Sequence, residues 1–343
     1  MIKKLFEEEF EEVVFFSNPR TNLECIIAVH STKRGPALGG CRFWHYSSYE
    51  DALIDVLRLA KGMTYKAAAA GLDLGGGKSV IIKNPAVNYS RKELMRSFGE
   101  CVNKLQGRYI TAEDMGTTTD DMDVISEVTP FVRGCGKVKG DPSPFTAKGV
   151  FYAIQVGFRL LFGSEDVSGK TIAIQGLGAV GLKLAKILAD SGSYVIGTDV
   201  SSEAVERAHE QINGIKIVSP EEIYKVDADC FSPCAGGAIL NSSTIPLLKA
   251  KLVAGAANNQ ISSPECYELF KQKGILYAPD FLINSGGLIK VASETLNKSD
   301  PEDWINQKLL SIKEKLLWVF EEHIKSGKST EQLAIQLAQS ELA

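Results

Sequence analysis

Hydrophobic and polar positions follow two different patterns along the chain, separated by a stretch rich in glycine, proline and lysine. In the first part, residues 24–30, ECIIAVH, read as a strand. The run SSYEDALIDVLRLAKGM reads as a helix. Ser47 and Glu50 fit a capping box there, and Leu53, Val56, Leu57 and Ala60 form one apolar face. KSVIIKN gives a second strand, and RYITAED a third that ends in acids. The segment 133–149, RGCGKVKGDPSPFTAKG, is the best candidate for a linker. Beyond it strands and helices alternate strictly. KTIAIQGLG is a strand, AVGLKLAKILADSG a helix closed by Gly192, YVIGTDV a strand and SEAVERAHEQI a helix. Short strands follow at IKIV, DADCFSP, KLVAGAA and GILYAPD. Repeated βαβ units predict a doubly wound parallel sheet. Asp300 caps a long amphipathic helix with Pro301 in its first turn and a stop near Gly327. A last helix starts at Ser329, with Gln332 as its capping partner.

The fold class is therefore α/β with two domains. Residues 1–135 form one α/β domain, onto which a C-terminal helix, 326–343, packs back. Residues 136–325 form a Rossmann-type dinucleotide-binding domain. The active site is expected in the cleft between them.

Composition narrows the function classes. The 343 residues are 44% hydrophobic and 23% charged, with a net charge of -4 and a pI of about 5.8. No basic block or stripe invites a nucleic acid. No apolar run reaches the roughly 18 residues a membrane span needs. The N-terminal stretch is acidic after residue 6 and lacks the apolar core of a signal peptide, which predicts a cytoplasmic protein. Seven cysteines at irregular spacings imply reduced, mostly buried thiols, and four scattered histidines give no metal ligand set.

IAIQGLGAVG carries Gly176, Gly178 and Gly181 in full G-x-G-x-x-G spacing, after an apolar strand and before a helix. Gly176 permits the tight turn. Gly178, with the neighbouring Ala179 and Val180, lets a pyrophosphate reach the backbone at the helix N-terminus. Gly181 lets helix and strand pack closely. Asp199 ends the next strand, 18 residues on. It can accept hydrogen bonds from ribose hydroxyls and would repel a 2′-phosphate, which favours NAD over NADP. GLDLGGGKS looks like a triphosphate loop, but that motif needs glycine six residues before Lys78, and Leu72 stands there.

The run KGMTYKAAAAGLDLGGGKSV places Lys61, Lys66 and Lys78 among residues that allow close approach. Together with GPALGGCRFW, RYITAEDMGTT, GDPSPFTAKGV, GLGAVG, GAANNQ and YAPDFLINSGG, in that order, it resembles the Glu/Leu/Phe/Val dehydrogenase family, nearest its leucine dehydrogenase branch. The resemblance runs over residues 25–340 or so. It implies NAD(P)-dependent oxidative deamination of an L-amino acid to the 2-oxo acid and ammonium by a homo-oligomer, at least a dimer, with residues 1–135 as the substrate-binding and oligomerisation domain. By resemblance Lys66 holds the substrate carboxylate, Lys78 is the general base and Asp114 the catalytic aspartate. Asn258 lies at the substrate and the nicotinamide, Thr146 touches the cofactor, and Gly39 sits in a loop, ALGG, that lines the substrate. The side-chain pocket is then Leu38, Met63, Ala112, Leu288 and Val291. Lys61 is read as surface or structural.

The chemistry fits these residue types. A fixed ammonium and an amide can hold a carboxylate. Water must attack the iminium carbon left by hydride loss, and a base must take its proton. A lysine at its ordinary pKa of roughly 10.4 is useless as a base near neutrality, so the role calls for burial and a cationic neighbour such as Lys66. The all-apolar pocket could not pair a glutamate carboxylate. Ala112 resembles the leucine branch and Leu288 the phenylalanine branch, and branched-chain substrates are expected. Gly181 departs from the alanine common in the leucine branch. The chain ends at Ala343 without the C-terminal extension of many relatives, an argument against a large oligomer. A 2-hydroxy-acid dehydrogenase would need a histidine acid and an arginine clamp, and no convincing pair is found. A non-catalytic NAD-binding protein would be expected to lack Lys78 or Asp114, and both are present.

Overall fold

The computed structural model describes residues 10–136, 140–296 and 298–342. The start of the acidic N-terminal stretch, the centre of the segment read as a linker and the chain end at Ala343 lie outside the described residues. The chain forms two compact units. The first holds Met1–Gly140 with Glu294–Asn297 and Ala338–Ala343. The second holds Asp141–Ser293 and Lys298–Leu337.

The first unit is built on five strands: β1 (Glu12–Asn18), β2 (Leu23–Ser31), β3 (Ala37–Trp44), β4 (Gly75–Ile82) and β5 (Tyr109–Glu113). Their spatial order is β1-β2-β4-β3-β5. β1 and β2 run antiparallel to their neighbours, while β3 lies parallel to both β4 and β5. Helix α1 (Tyr49–Ala69) covers one face. It packs Ala52, Val56, Leu57 and Ala60 on Ile26, Ala28 and Val80. Helix α2 (Arg91–Lys104) covers the other through Leu94, Met95, Phe98 and Val102, against Cys25, Ile27, Cys41 and Ile81. Helix α3 (Thr119–Ser126) is fixed by a full capping box between Thr118 and Asp121. The side-chain period of two then sorts the strand residues. Leu38, Gly40, Arg42, Lys78 and Ala112 face α1, with Gly39, Cys41, Ser79 and Tyr109 on the α2 side.

The second unit is a six-stranded parallel sheet, in agreement with the alternation read from the sequence. It comprises β6 (Thr171–Gln175), β7 (Tyr194–Thr198), β8 (Lys216–Ile217), β9 (Cys230–Pro233), β10 (Leu252–Val253) and β11 (Leu276–Tyr277). The order is β11-β10-β9-β6-β7-β8. The first crossovers use α5 (Gly181–Asp190) and α6 (Ser202–Gln211), and α7 (Cys266–Lys273) precedes β11. The unit also contains α4 (Ser143–Phe162), the short α8 (Asp280–Ile283), most of α9 (Gly286–Thr295) and α10 (Pro301–Ser326). Helix α11 (Thr330–Ser340) follows α10. Asp300 caps α10 by accepting from the Asp303 amide, and Gly327 ends it in the left-handed region with φ 70°. Ser329 and Gln332 cap α11 reciprocally.

Four expectations change. The cap of α1 is Ser48, which accepts from the Asp51 amide, one residue beyond the expected Ser47–Glu50 pair. The segment read as a linker turns helical at Ser143, because Pro144 suits a first helical turn. The strand read at KSVIIKN begins three residues earlier, so the triple glycine belongs to β4. ALGG lies in β3, so Gly39 sits in a buried strand flanked on both sides by parallel partners. All seven cysteines are free, and five of them are buried. No helix among the described residues is long and apolar enough to cross a membrane.

Candidate active site

Glycines bring the first unit's layers together. At Gly76, which faces α1, a Cβ would overlap the backbone nitrogen of Thr64 and lie 2.5 Å from its Cα. Strand β4 can therefore lie directly against the helix that carries Met63 and Lys66. Ala67–Ala70 are at most 1% exposed, which completes the close contact. At Gly40 a Cβ would come within 2.7 Å of the Asp114 Cβ. Gly39 turns toward the other face, and its carbonyl accepts from the Tyr109 hydroxyl at 2.6 Å.

On the α1 face Lys78 is 5% exposed, and Asp114 stands just beyond the end of β5. Lys78 Nζ lies 3.0 Å from Asp114 Oδ2. The same oxygen accepts from Arg42 Nε at 3.1 Å. Burial opposes charge on Asp114, but the Lys78 ammonium and the Arg42 guanidinium outweigh it and hold the carboxyl below the usual carboxylate range. The Asp114 amide donates to Thr117 Oγ1, which in turn donates to the Cys41 carbonyl, so the loop after β5 is tied back to β3. Leu38 is buried, and Met63 and Ala112 are half-buried on the same side. Lys66 is half-buried in the last turn of α1.

In the second unit Gly176 turns the chain with φ 97°, and a Cβ there would meet the Ala235 Cβ at 2.7 Å. Gly181 starts α5 against Gly176 and Cys234. At Gly178 a Cβ would meet nothing within 4 Å, and Gly178 and Ala179 are exposed. Val180 is half-buried at the helix N-cap. Asp199 Oδ2 accepts from the Leu177 amide at 2.7 Å and Oδ1 from the Ser201 amide at 2.9 Å, so the carboxylate is fixed beside the glycine loop. An open backbone at a helix N-terminus with a carboxylate at the neighbouring strand end fits a dinucleotide's pyrophosphate and ribose. Thr146 is half-buried near the start of α4 and accepts from the Gly287 amide at 2.9 Å. Asn258 is exposed, and its Oδ1 accepts from Asn284 Nδ2 at 2.9 Å. Leu288 and Val291 are half-buried on α9.

Sequence reading assigned no role to Arg42, Asp55 or Asn284. Arg42 was in view within GPALGGCRFW and Asn284 within YAPDFLINSGG. Their partners are distant in sequence, so only the fold discloses them.

Comparison with known proteins identifies the family. Residues 11–130 match the family described as Glu/Leu/Phe/Val dehydrogenase, dimerisation domain. Residues 198–340 match Glutamate/Leucine/Phenylalanine/Valine dehydrogenase. A leucine dehydrogenase of Bacillus cereus is 45% identical over 338 residues, 98% of this chain and 91% of its own. A phenylalanine dehydrogenase of Lysinibacillus sphaericus is 47% identical over 291 residues, 83% of this chain and 76% of its own. The crystal structure of L-tryptophan dehydrogenase from Nostoc punctiforme superposes with a TM-score of 0.86 at 38% identity, covering 100% of this chain and 98% of that one. The chain is a member of the Glu/Leu/Phe/Val dehydrogenase family, an amino-acid dehydrogenase.

Proposed function

We propose that the chain catalyses reversible NAD-dependent oxidative deamination of a branched-chain L-amino acid, leucine, isoleucine or valine, to the 2-oxo acid and ammonium. The observation that carries this reading is the Lys78–Asp114 ion pair, 3.0 Å long, with Lys78 itself buried. Lys66 holds the substrate carboxylate as a point charge, helped by the Asn258 amide. Lys78 takes the proton of the water that adds to the iminium carbon, and Asp114 orients the Lys78 amine and carries protons to and from it. The Gly176–Gly181 loop, Asp199 and Thr146 would hold NAD, which would supply the acceptor for the hydride that leaves Cα. The Asp199 carboxylate disfavours a 2′-phosphate and supports NAD over NADP.

Leu38, Met63 and Ala112 and, by resemblance, Leu288 and Val291 are all apolar, and none of them could pair a glutamate carboxylate, which argues against glutamate. Ala112 and the match to leucine dehydrogenases support the branched-chain choice. An aromatic substrate is the second reading, favoured by Leu288 and by the phenylalanine and tryptophan relatives. One buried methylene shifts discrimination by only about 1–3 kcal/mol. The description of residues 11–130 as a dimerisation domain supports a homo-oligomer. The free thiols suit a cytoplasmic enzyme.

The test is kcat/KM for leucine, isoleucine, valine, phenylalanine, tryptophan and glutamate with NAD and with NADP, followed by nicotinamide absorbance. The branched-chain acids with NAD should lead. An aromatic lead of tenfold or more would overturn the substrate choice, and no turnover with any amino acid would overturn the assignment to deamination.

A further inference from the structure

Charged side chains on the α1 face form a line of alternating sign. Lys78 meets Asp114, Asp114 meets Arg42 through Nε, and Arg42 NH1 meets Asp55 Oδ2 at 2.7 Å. Asp55 also accepts from the Tyr46 hydroxyl at 2.8 Å and from Arg58 NH2 at 2.8 Å. Arg42 is thus the only residue on the line that touches both carboxylates. We infer that Arg42, anchored by Asp55, is a positioning residue that sets the direction and charge of Asp114 and, through it, the working protonation of Lys78.

Two features of the guanidinium carry the argument. Its planar fork spends one arm on β5's end and the other on α1, the helix that also carries Met63 and Lys66. Rotation of Asp114 away from Lys78 would break a bond that Asp55 holds in place from the other side. Its fixed positive charge also offsets the Asp114 carboxylate. With Arg42 present, Lys78 sees a nearly balanced pair, and without it a lone anion. Asp55 keeps that cation where it is: burial opposes its charge, but hydrogen bonding from Arg58 and the charge of Arg42 hold its carboxyl below the usual range. Among the described residues Lys78 on β4 and Arg42 on β3 contact Asp114, Asp55, Arg58 and Tyr46 lie on the far side of Arg42, and Cys41 and Tyr109 feel Asp114 from the sheet's other side.

The inference rests on Lys78 as the base. The experiment compares Arg42→Met, Arg42→Lys, Asp55→Asn and the double variant Arg42→Met/Asp55→Asn with the unmodified enzyme, and runs Lys78→Ala in parallel. Arg42→Met should lose about tenfold or more in kcat while the amino-acid KM changes by less than about threefold. Removal of a neighbouring cation favours the ammonium form of an amine, so the acid limb of kcat/KM should move to higher pH by about half a unit or more. Arg42→Lys keeps the charge but not the fork, and should restore the pH profile with only part of kcat. The double variant removes the stranded Asp55 charge, so it should fold at least as well as Arg42→Met, and its acid limb should move in the same direction but less far, because the lost anion partly offsets the lost cation. Two results would overturn the inference: an unmoved acid limb in both Arg42→Met variants, or equal losses in the Lys and Met variants. Normal turnover in Lys78→Ala would instead overturn the base assignment beneath it.

Discussion

Gly76→Ala adds a single methyl to β4, two residues before Lys78, and points it at the backbone of α1. The Cβ would lie 2.5 Å from the Thr64 Cα and overlap the Thr64 nitrogen. Carbon atoms settle at roughly 3.5–4.0 Å, so α1 would have to retreat by about 1 Å, because neither contact is a flexible side-chain end. Overpacking of this kind costs about 1–3 kcal/mol, which for a chain this size lowers Tm by several degrees. The helix carries Lys66 two residues beyond Thr64, so the proposed carboxylate site moves with it. A misplacement of about 1 Å can cost on the order of 10² in rate. Steady-state kinetics should show a higher amino-acid KM and a lower kcat, while NAD binding, measured by calorimetry, stays unchanged. Gly62→Ala is the control on the same helix. Its Cβ meets nothing within 4 Å, so activity should be unaltered and stability higher by about 0.5–1 kcal/mol. The reasoning would be refuted by a Gly76→Ala enzyme with kcat/KM within twofold of normal and an unchanged Tm.

Lys78→Ala should lower kcat by roughly 10²–10⁴-fold with NAD binding intact, whereas Lys66→Ala should chiefly raise the amino-acid KM; near-normal turnover in the first would defeat its role as base. Asp199→Ser should narrow the NAD/NADP preference and also weaken NAD, because Asp199 anchors the Leu177 amide; an unaltered preference would mean that other groups read the ribose. Burial and then the neighbouring Asp280 raise the Glu331 carboxyl from 4.5 to about 8. The folded chain keeps a proton there that the unfolded chain has released, so stability falls as pH rises from about 4.5 to about 8. Glu331→Gln should therefore be the more stable protein at pH 8, by on the order of 2–5 kcal/mol, and match the unmodified protein near pH 4; equal urea midpoints at both pH values would reject the assignment.

The second unit was readable because its strands and helices alternate with short connections, and each strand is a brief apolar run. The first unit hid two strands. β3, ALGGCRFW, looks like a loop because glycine disfavours strands in isolation. It is a strand because β4 and β5 flank it on both sides and only glycine leaves room for them. β1, EVVFFSN, is an edge strand whose pairing with β2 has no local signature beyond β-branched and aromatic content. Among site residues, lysines beside glycines advertise themselves. Arg42 does not, since its partners Asp114 and Asp55 lie 72 and 13 residues away. An ion pair of that span exists only once the strand order is known.

The loop GAANNQ shows what rigidity at a polar site requires in this fold. Gln260 Nε2 donates to the carbonyls of Gly255 and Ala257, and Asn284 Nδ2 donates to the Ala256 carbonyl and to Asn258 Oδ1. Both amides are buried, and both spend their donors on the loop. Their own oxygens, Gln260 Oε1 and Asn284 Oδ1, are left buried with no hydrogen-bond partner in the protein. An unmatched buried acceptor costs about 1–3 kcal/mol, so the arrangement lowers stability to hold the loop in one shape. Asn258 gains from it directly. A donated hydrogen bond to its Oδ1 fixes which way the amide faces.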